Sequence, residues 1–390
     1  LETLMAIFVS NRYLPRRILL LTGCFARAAA EKHSITRLWK QSSKLISRSI
    51  TQNAGDHGEH YITRDKKEYW AMFYSAAGGG VLIALMALFK IYLGSIIDDK
   101  VWKGIAEGLN YGLGFMVIFM LHFTVATKQP AMTAARFAEA VEKTPQGKSV
   151  NMKLAQLLVD VFRSQSIAVL GNVLIAMGLA ALIAFGYQYK TGEPLMNAEQ
   201  IAYQLHSIDP FAGTLWFAAI AGVWLFCSGI ISGYFDNRSN YLNMRMRLAQ
   251  HPLLKKLMSE KTRVKFANYM HENYGSLIGN LCFGMLLGIT GVVGYLTHLP
   301  LDIRHVAFSS ANVGYIAVSG HFTYSLLLQC IGFVLLIGLV NLIVSFSLTL
   351  WVALRSLNAE IDSWWPIWHE VCQIVKKRPL SLFLPVQLDK

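Results

Sequence analysis

Lys and Arg are unevenly distributed between six apolar stretches, and this constrains the chain more than any other feature. The stretches run from Tyr69 to Leu93, Ile105 to Ala126, Ser166 to Tyr189, Phe211 to Phe235, Ser276 to Thr297 and Phe322 to Leu354. Each reaches the roughly 20 residues that a membrane-spanning helix needs. Outside them, Lys and Arg number twelve before the first stretch, then two, six, one, eight and one in successive connections, and five in the tail. Rich and poor segments alternate strictly. Under the positive-inside rule this predicts an all-α, six-span protein of the cytoplasmic (inner) membrane, with both termini and the two long connections in the cytoplasm. Residues 1–68 then form a cytoplasmic helical region, 69–355 the membrane domain and 356–390 a cytoplasmic tail.

At 390 residues and 54% apolar content the chain is long enough for two soluble domains, but its apolar runs lack the polar face of a soluble core helix. The net charge of +13 follows from the cytoplasmic bias and suits contact with anionic lipid headgroups, so it does not argue for nucleic acid as a partner. Cys24, Cys227, Cys282, Cys330 and Cys372 form no CxxC pair and no metal-ligand spacing, so neither a disulfide framework nor a zinc site is implied. His57, Glu59 and His60 could bind a metal in principle, but two His in a Gly-flanked loop without a third spaced ligand is a weak signal, and no metal site is expected there. No nucleotide-binding loop, hydrolase triad or metalloprotease motif is visible, and no cofactor is implied. The chain starts at Leu1 without a signal sequence, as a piece of a longer protein would.

Before the first span, Glu31 to Ser49 places Ile35, Leu38, Trp39, Leu45 and Ile46 on one side of a helical wheel and Arg37, Lys40, Lys44 and Arg48 on the other. Such a basic amphipathic helix lies on the cytoplasmic leaflet, packs on the rest of its region or, least favoured, touches a phosphate polymer. The odd-numbered spans carry similar strings beginning at Gly79, Gly171 and Gly279. Three related hairpins would produce this, with Asn172 and Asn280 as equivalent interhelical residues, and so would chance likeness between low-complexity apolar strings.

The exit of the second span holds the main candidate site. His122, Thr124, Lys128 and Gln129 fall where hydrocarbon gives way to the cytoplasmic interface, and Pro130 breaks or restarts the helix there. If the helix continues through Lys128, His122 lies one turn deeper. The pair would then border a polar cavity for a small anion or a lipid phosphate. The competing reading is an interfacial His bonded to a backbone carbonyl, with Lys128 snorkelling to the headgroups. Asn341, midway through the sixth span, reads as helix glue like Asn172 and Asn280. Glu107, Asn110 and Lys90 are weaker candidates near the opposite face. Val306 to Val318 is too short to span and reads as a surface or re-entrant piece.

The strings Gly58-Glu59-His60-Tyr61-Ile62 before Ala76-Ala77-Gly78-Gly79-Gly80, His122 through Thr133, and Gln250-His251-Pro252-Leu253-Leu254 resemble the bacterial integral membrane family labelled site-specific recombinase. The resemblance covers most of the chain and implies the membrane-embedded carboxy-terminal part of a longer protein. It carries no agreed catalytic residues. Its label implies DNA strand exchange, which needs a Tyr or Ser nucleophile and a basic cluster around the scissile phosphate. The longest cytoplasmic connection, about Asp236 to Gly275, is well below the size of an independent domain. Two functions therefore compete: a transporter or carrier of a small anionic solute or lipid, and a scaffold or anchor displaying cytoplasmic helices to a partner. A polar cavity between the hairpins favours the first.

Overall fold

The structure, a computed structural model, describes residues 62–63, 65–126, 148–319, 322–357, 361 and 363–385, together with residues 19, 22–23, 133–134, 137–138 and 140–141. Residues 1–46 and 47–390 are separate units, and the architecture below is that of the second. The amphipathic stretch Glu31 to Ser49 and the His57 to His60 loop lie outside the described residues.

The described residues are helical, with no strand. In chain order the helices are α1 Lys66–Ile96, α2 Lys100–Met120, α3 Lys148–Thr191, α4 Ala198–Ile208, α5 Thr214–Tyr241, α6 Met244–Gln250, α7 Pro252–Leu257, α8 Glu260–Thr297, α9 Val306–Ala317, α10 Tyr324–Leu357 and α11 Trp365–Lys377. Five of them, α1, α3, α5, α8 and α10, are long and apolar enough to cross a membrane. The sixth expected span corresponds to α2, which has 21 residues and opens with Lys100, Lys103 and Glu107. Leu113, Val117, Leu182, Phe185, Leu335 and Ile343 are exposed, the outward apolar surface that lipid would cover. Local chemistry sets several boundaries. Asp99 caps α2 by accepting from the Val101 and Trp102 amides, and Asn197 and Gln200 form a reciprocal capping box on α4.

Two asparagines hold the packing together in the same way. Asn172 of α3 is 1% exposed and Asn341 of α10 is 0% exposed. Asn172 Oδ1 accepts from the Ala126 amide at 2.8 Å, and its Nδ2 donates to the Ala76 carbonyl and, at 2.9 Å, to the Thr124 carbonyl. Asn341 Oδ1 accepts from the Val306 amide at 3.2 Å, and its Nδ2 donates to the Ala218 carbonyl at 2.7 Å and the Arg304 carbonyl at 3.0 Å. The backbone repeats the pattern, because Thr124 N donates to Ser75 O and Arg304 N to Phe217 O, both at 3.2 Å. One turn beyond each contacted alanine, Gly80 and Gly222 bring their helices against the main-chain carbonyl of Asn172 and Asn341 respectively.

These correspondences pair α1 with α5, α2 with α8, and α3 with α10. The described part of 133–141 corresponds to α9: Ala134, Phe137 and Ala138 pack against α3 and α10, as α9 does. α2 and α8, which correspond to each other, also pack together in antiparallel sense. Gly104 meets Val292 and Gly288, Gly108 meets Met285, and Gly112 meets Leu281. Both helices end on a histidine with left-handed backbone, His122 at φ 58 and His298 at φ 54. Antiparallel contact between equivalent helices is the signature of a two-fold axis perpendicular to them. The internal likeness is therefore three helices plus three, not three hairpins. Asn280, the expected equivalent of Asn172, donates to the Ser276 carbonyl of its own helix, while the bond set of Asn172 recurs at Asn341.

Candidate functional site

The His122 region differs from its expected form. The second span was expected to run through Ala126, but α2 stops at Met120, and Leu121 to Val125 is non-helical. The one-turn depth argument linking His122 to Lys128 therefore fails at its first step. The backbone turns aside because Ser75 of α1 captures it: Ser75 Oγ donates to the His122 carbonyl at 3.1 Å and shares a hydrogen bond with Thr124 Oγ1 at 2.9 Å. Thr124 is buried in this contact and the His122 side chain is exposed. Lys128 and Gln129 lie outside the described residues. Among the described residues no group of three His, Cys, Asp or Glu is placed to hold a metal.

Among the described residues a polar cavity lies toward the other end of α2. A space of about 550 Å³ opens where the α1–α2 turn, α4 and the segment leading into α9 meet. Lys90 near the end of α1 and Glu107 of α2 form an ion pair at 3.3 Å, with side chains 37% and 13% exposed. Lys90 precedes the Ile97–Asp99 turn by about as many residues as Glu107 follows it, so the hairpin brings them to equal depth. The Lys90 ammonium also lies 5.7 Å from the centre of the Tyr111 ring, one helical turn beyond Glu107. Across the cavity Arg304 pairs with Asp302 at 2.6 Å and donates through Nε to the Ser207 carbonyl at the end of α4, at 2.8 Å. Tyr203 and Gln200 of α4 complete the wall.

α9 explains why the segment before it is so well fixed. The helix is 12 residues long and buried on nearly every side, so the surface alternative for Val306 to Val318 is excluded. Its first turn is held by Asn341, and Tyr315 in its last turn donates to the Ala84 carbonyl of α1 at 2.8 Å. At its start His305, 1% exposed, is surrounded by the rings of Phe115, Phe283 and Phe308 with centroids 5.8 to 6.2 Å away. α9 thus fixes the backbone that carries Asp302 and Arg304 against the cavity.

Of the sequence candidates among the described residues, only Lys90 and Glu107 line this cavity, and Asn341 supports it from behind. Asp302, Arg304, Tyr111 and Tyr203 were missed. For the first two a signal existed, an acid and a base two residues apart beside a short apolar segment in a connection otherwise poor in charge.

Comparison with curated proteins and with solved structures finds no match. A family profile described as site-specific recombinase matches residues 1–385, nearly the whole length, and the chain therefore belongs to that family.

Proposed function

We propose that this protein is a six-span inner-membrane carrier of a small polar solute, working by alternating access. The observation that carries this reading is the charged 550 Å³ cavity opening at one end of two-fold-related helices. Its volume falls within the usual range for small-molecule sites and is far too small for a DNA duplex, so scale favours a solute over the strand exchange named in the family's description. If the spans cross a bilayer, the two-fold axis between α2 and α8 lies in the membrane plane. That is the inverted-repeat plan on which many carriers are built, with a short non-spanning helix at membrane depth in the role of α9. The sixth crossing is α2, packed antiparallel along α8. The exposed Trp365 and Trp368 of α11, followed by Lys376 and Lys377, suit the headgroup level of an anionic leaflet.

On this topology the cavity opens on the Lys-poor, periplasmic side. Reporter fusions at Gly192 and Asp302 will read periplasmic, and a cytoplasmic signal at either position overturns the orientation.

Alternating access makes a second demand. The internal two-fold places Ser232 of α5 where Lys90 stands in α1, so Ser232 should line the opening when the opposite face is exposed. In a cysteine-free background, Tyr203→Cys will react with an impermeant maleimide from the periplasmic side and Ser232→Cys from the cytoplasmic side. Attaching a bulky maleimide at Tyr203→Cys will hold that face open and lower the Ser232→Cys labelling rate severalfold. Labelling at Ser232→Cys that is indifferent to the first modification would indicate a static body, and the scaffold reading would replace the carrier.

A further inference from the structure

We infer that the ligand of this cavity is a small zwitterion, with an ammonium held at Glu107 and Tyr111 and a carboxylate held at Arg304. This rests on the carrier reading and names its substrate class. The argument begins with the charge balance. Three bases, Lys90, Lys103 and Arg304, and three acids, Glu107, Glu199 and Asp302, line the space. Two pairs are already closed, Lys90 with Glu107 at 3.3 Å and Arg304 with Asp302 at 2.6 Å.

A ligand carrying net charge that took a place in either pair would displace one member and leave the paired centre of the cavity with a net charge, which is costly where water is scarce. A ligand with one positive and one negative pole displaces one side chain of each sign, so the net charge of the cavity stays unchanged.

The protein's own side chains show what each pole accepts. At one pole an ammonium, that of Lys90, is held by the Glu107 carboxylate with the Tyr111 ring 5.7 Å away, the combination of anion and aromatic face that binds ammonium groups. At the other a carboxylate, that of Asp302, is held by the guanidinium of Arg304. Arg304 is itself fixed by its bond to the Ser207 carbonyl and by the packing of Phe217, whose ring centre is 5.4 Å away. Its donors are therefore pre-oriented and lose little freedom when the partner changes. A free zwitterion replaces Lys90 at the first pole and Asp302 at the second, so the site offers two ordered receptors of opposite sign within one cavity.

The test uses the purified full chain in lipid nanodiscs with probes of similar length: a panel of L-α-amino acids and betaines, the dianion glutarate and the dication 1,5-diaminopentane. The expected result is a saturable rise in melting temperature with at least one zwitterion and none with glutarate or 1,5-diaminopentane. Arg304→Gln should weaken zwitterion binding at least tenfold. Because Glu107→Gln alone strands Lys90, the double variant Lys90→Gln/Glu107→Gln removes the first pole in balance, and it should fold and bind at least tenfold more weakly. A saturable response to glutarate or 1,5-diaminopentane alone overturns the zwitterion, as does full binding in both variants or a panel with no response. If maleimide labelling still shows one face opening as the other closes, only the substrate class has failed and the carrier reading stands.

Discussion

Asn341→Leu should destabilise the protein by about 2 to 4 kcal/mol, well above the roughly 0.6 kcal/mol of an average interhelical hydrogen bond in a membrane protein. The difference lies in what Asn341 bonds. Its partners include the Val306 amide, at the start of α9 where no intrahelical carbonyl can accept from it, and the Arg304 carbonyl in the non-helical segment before it, and it is fully buried where it meets them. Leucine would leave that buried amide without its partner, which carries the desolvation cost of an unsatisfied main-chain group. The same loss should also release the segment bearing Asp302 and Arg304, so ligand binding should fall with stability. Asn172→Leu should cost a similar amount through Ala126 and Thr124. Asn280→Leu, which removes a bond to the Ser276 carbonyl of its own helix rather than to the backbone of another segment, should cost less than either. Equilibrium unfolding in detergent measures all three, and equal losses at the three positions would overturn the pairing of Asn172 with Asn341.

A comparable effect is expected at the seam between α2 and α8. A Cβ on Gly284 would overlap the backbone of Gly112, and one on Gly288 the backbone of Gly108. The atoms in the way are main chain, so no rotamer change relieves them and the two helices must separate. Gly284→Ala should therefore cost about 3 kcal/mol or more, at the upper end of overpacking penalties. Gly178→Ala and Gly186→Ala make the control, since a Cβ at either meets nothing within 4 Å. Both should be neutral or stabilise by up to about 1 kcal/mol through the less flexible unfolded chain. Thermal unfolding of the three variants separates the cases, and a neutral Gly284→Ala would mean that the helices do not approach as closely as described.

The long apolar helices were legible because hydrophobic length is a one-dimensional property, and five of the six stretches recur as helices able to cross a membrane. The internal repeat was misread for a physical reason. Strings such as those at Gly79, Gly171 and Gly279 look alike because small and branched apolar residues are few, whereas the true correspondence runs through backbone groups. Ser75 and Phe217 share no chemistry, yet each offers the same carbonyl to the same turn. The early end of α2 was equally hidden, because no Pro or Gly stands at Met120. The segment is turned by Ser75 and Asn172, residues about 45 to 50 positions away in sequence. In the cavity, Lys90 and Glu107 were visible as charges out of place in apolar runs. Asp302 and Arg304 passed as ordinary connection residues because their setting depends on α9.

One guanidinium ties together stretches of chain from opposite ends of the membrane domain. Arg163 of α3, 4% exposed, donates to the Thr63 carbonyl just before α1 at 2.7 Å, to Asp160 at 2.9 Å, and to the Ser381 carbonyl after α11 at 3.4 Å. Thr63 is further bonded to Ser164 through its amide and its hydroxyl. The lead-in to the first span and the lead-out from the last are thus held by one guanidinium through different nitrogens, Nη2 to Thr63 and Nη1 to Ser381. Any partner that draws one of them away loosens the guanidinium that the other also holds, so occupancy at one end carries a free-energy consequence at the far end without any helix of the bundle having to move.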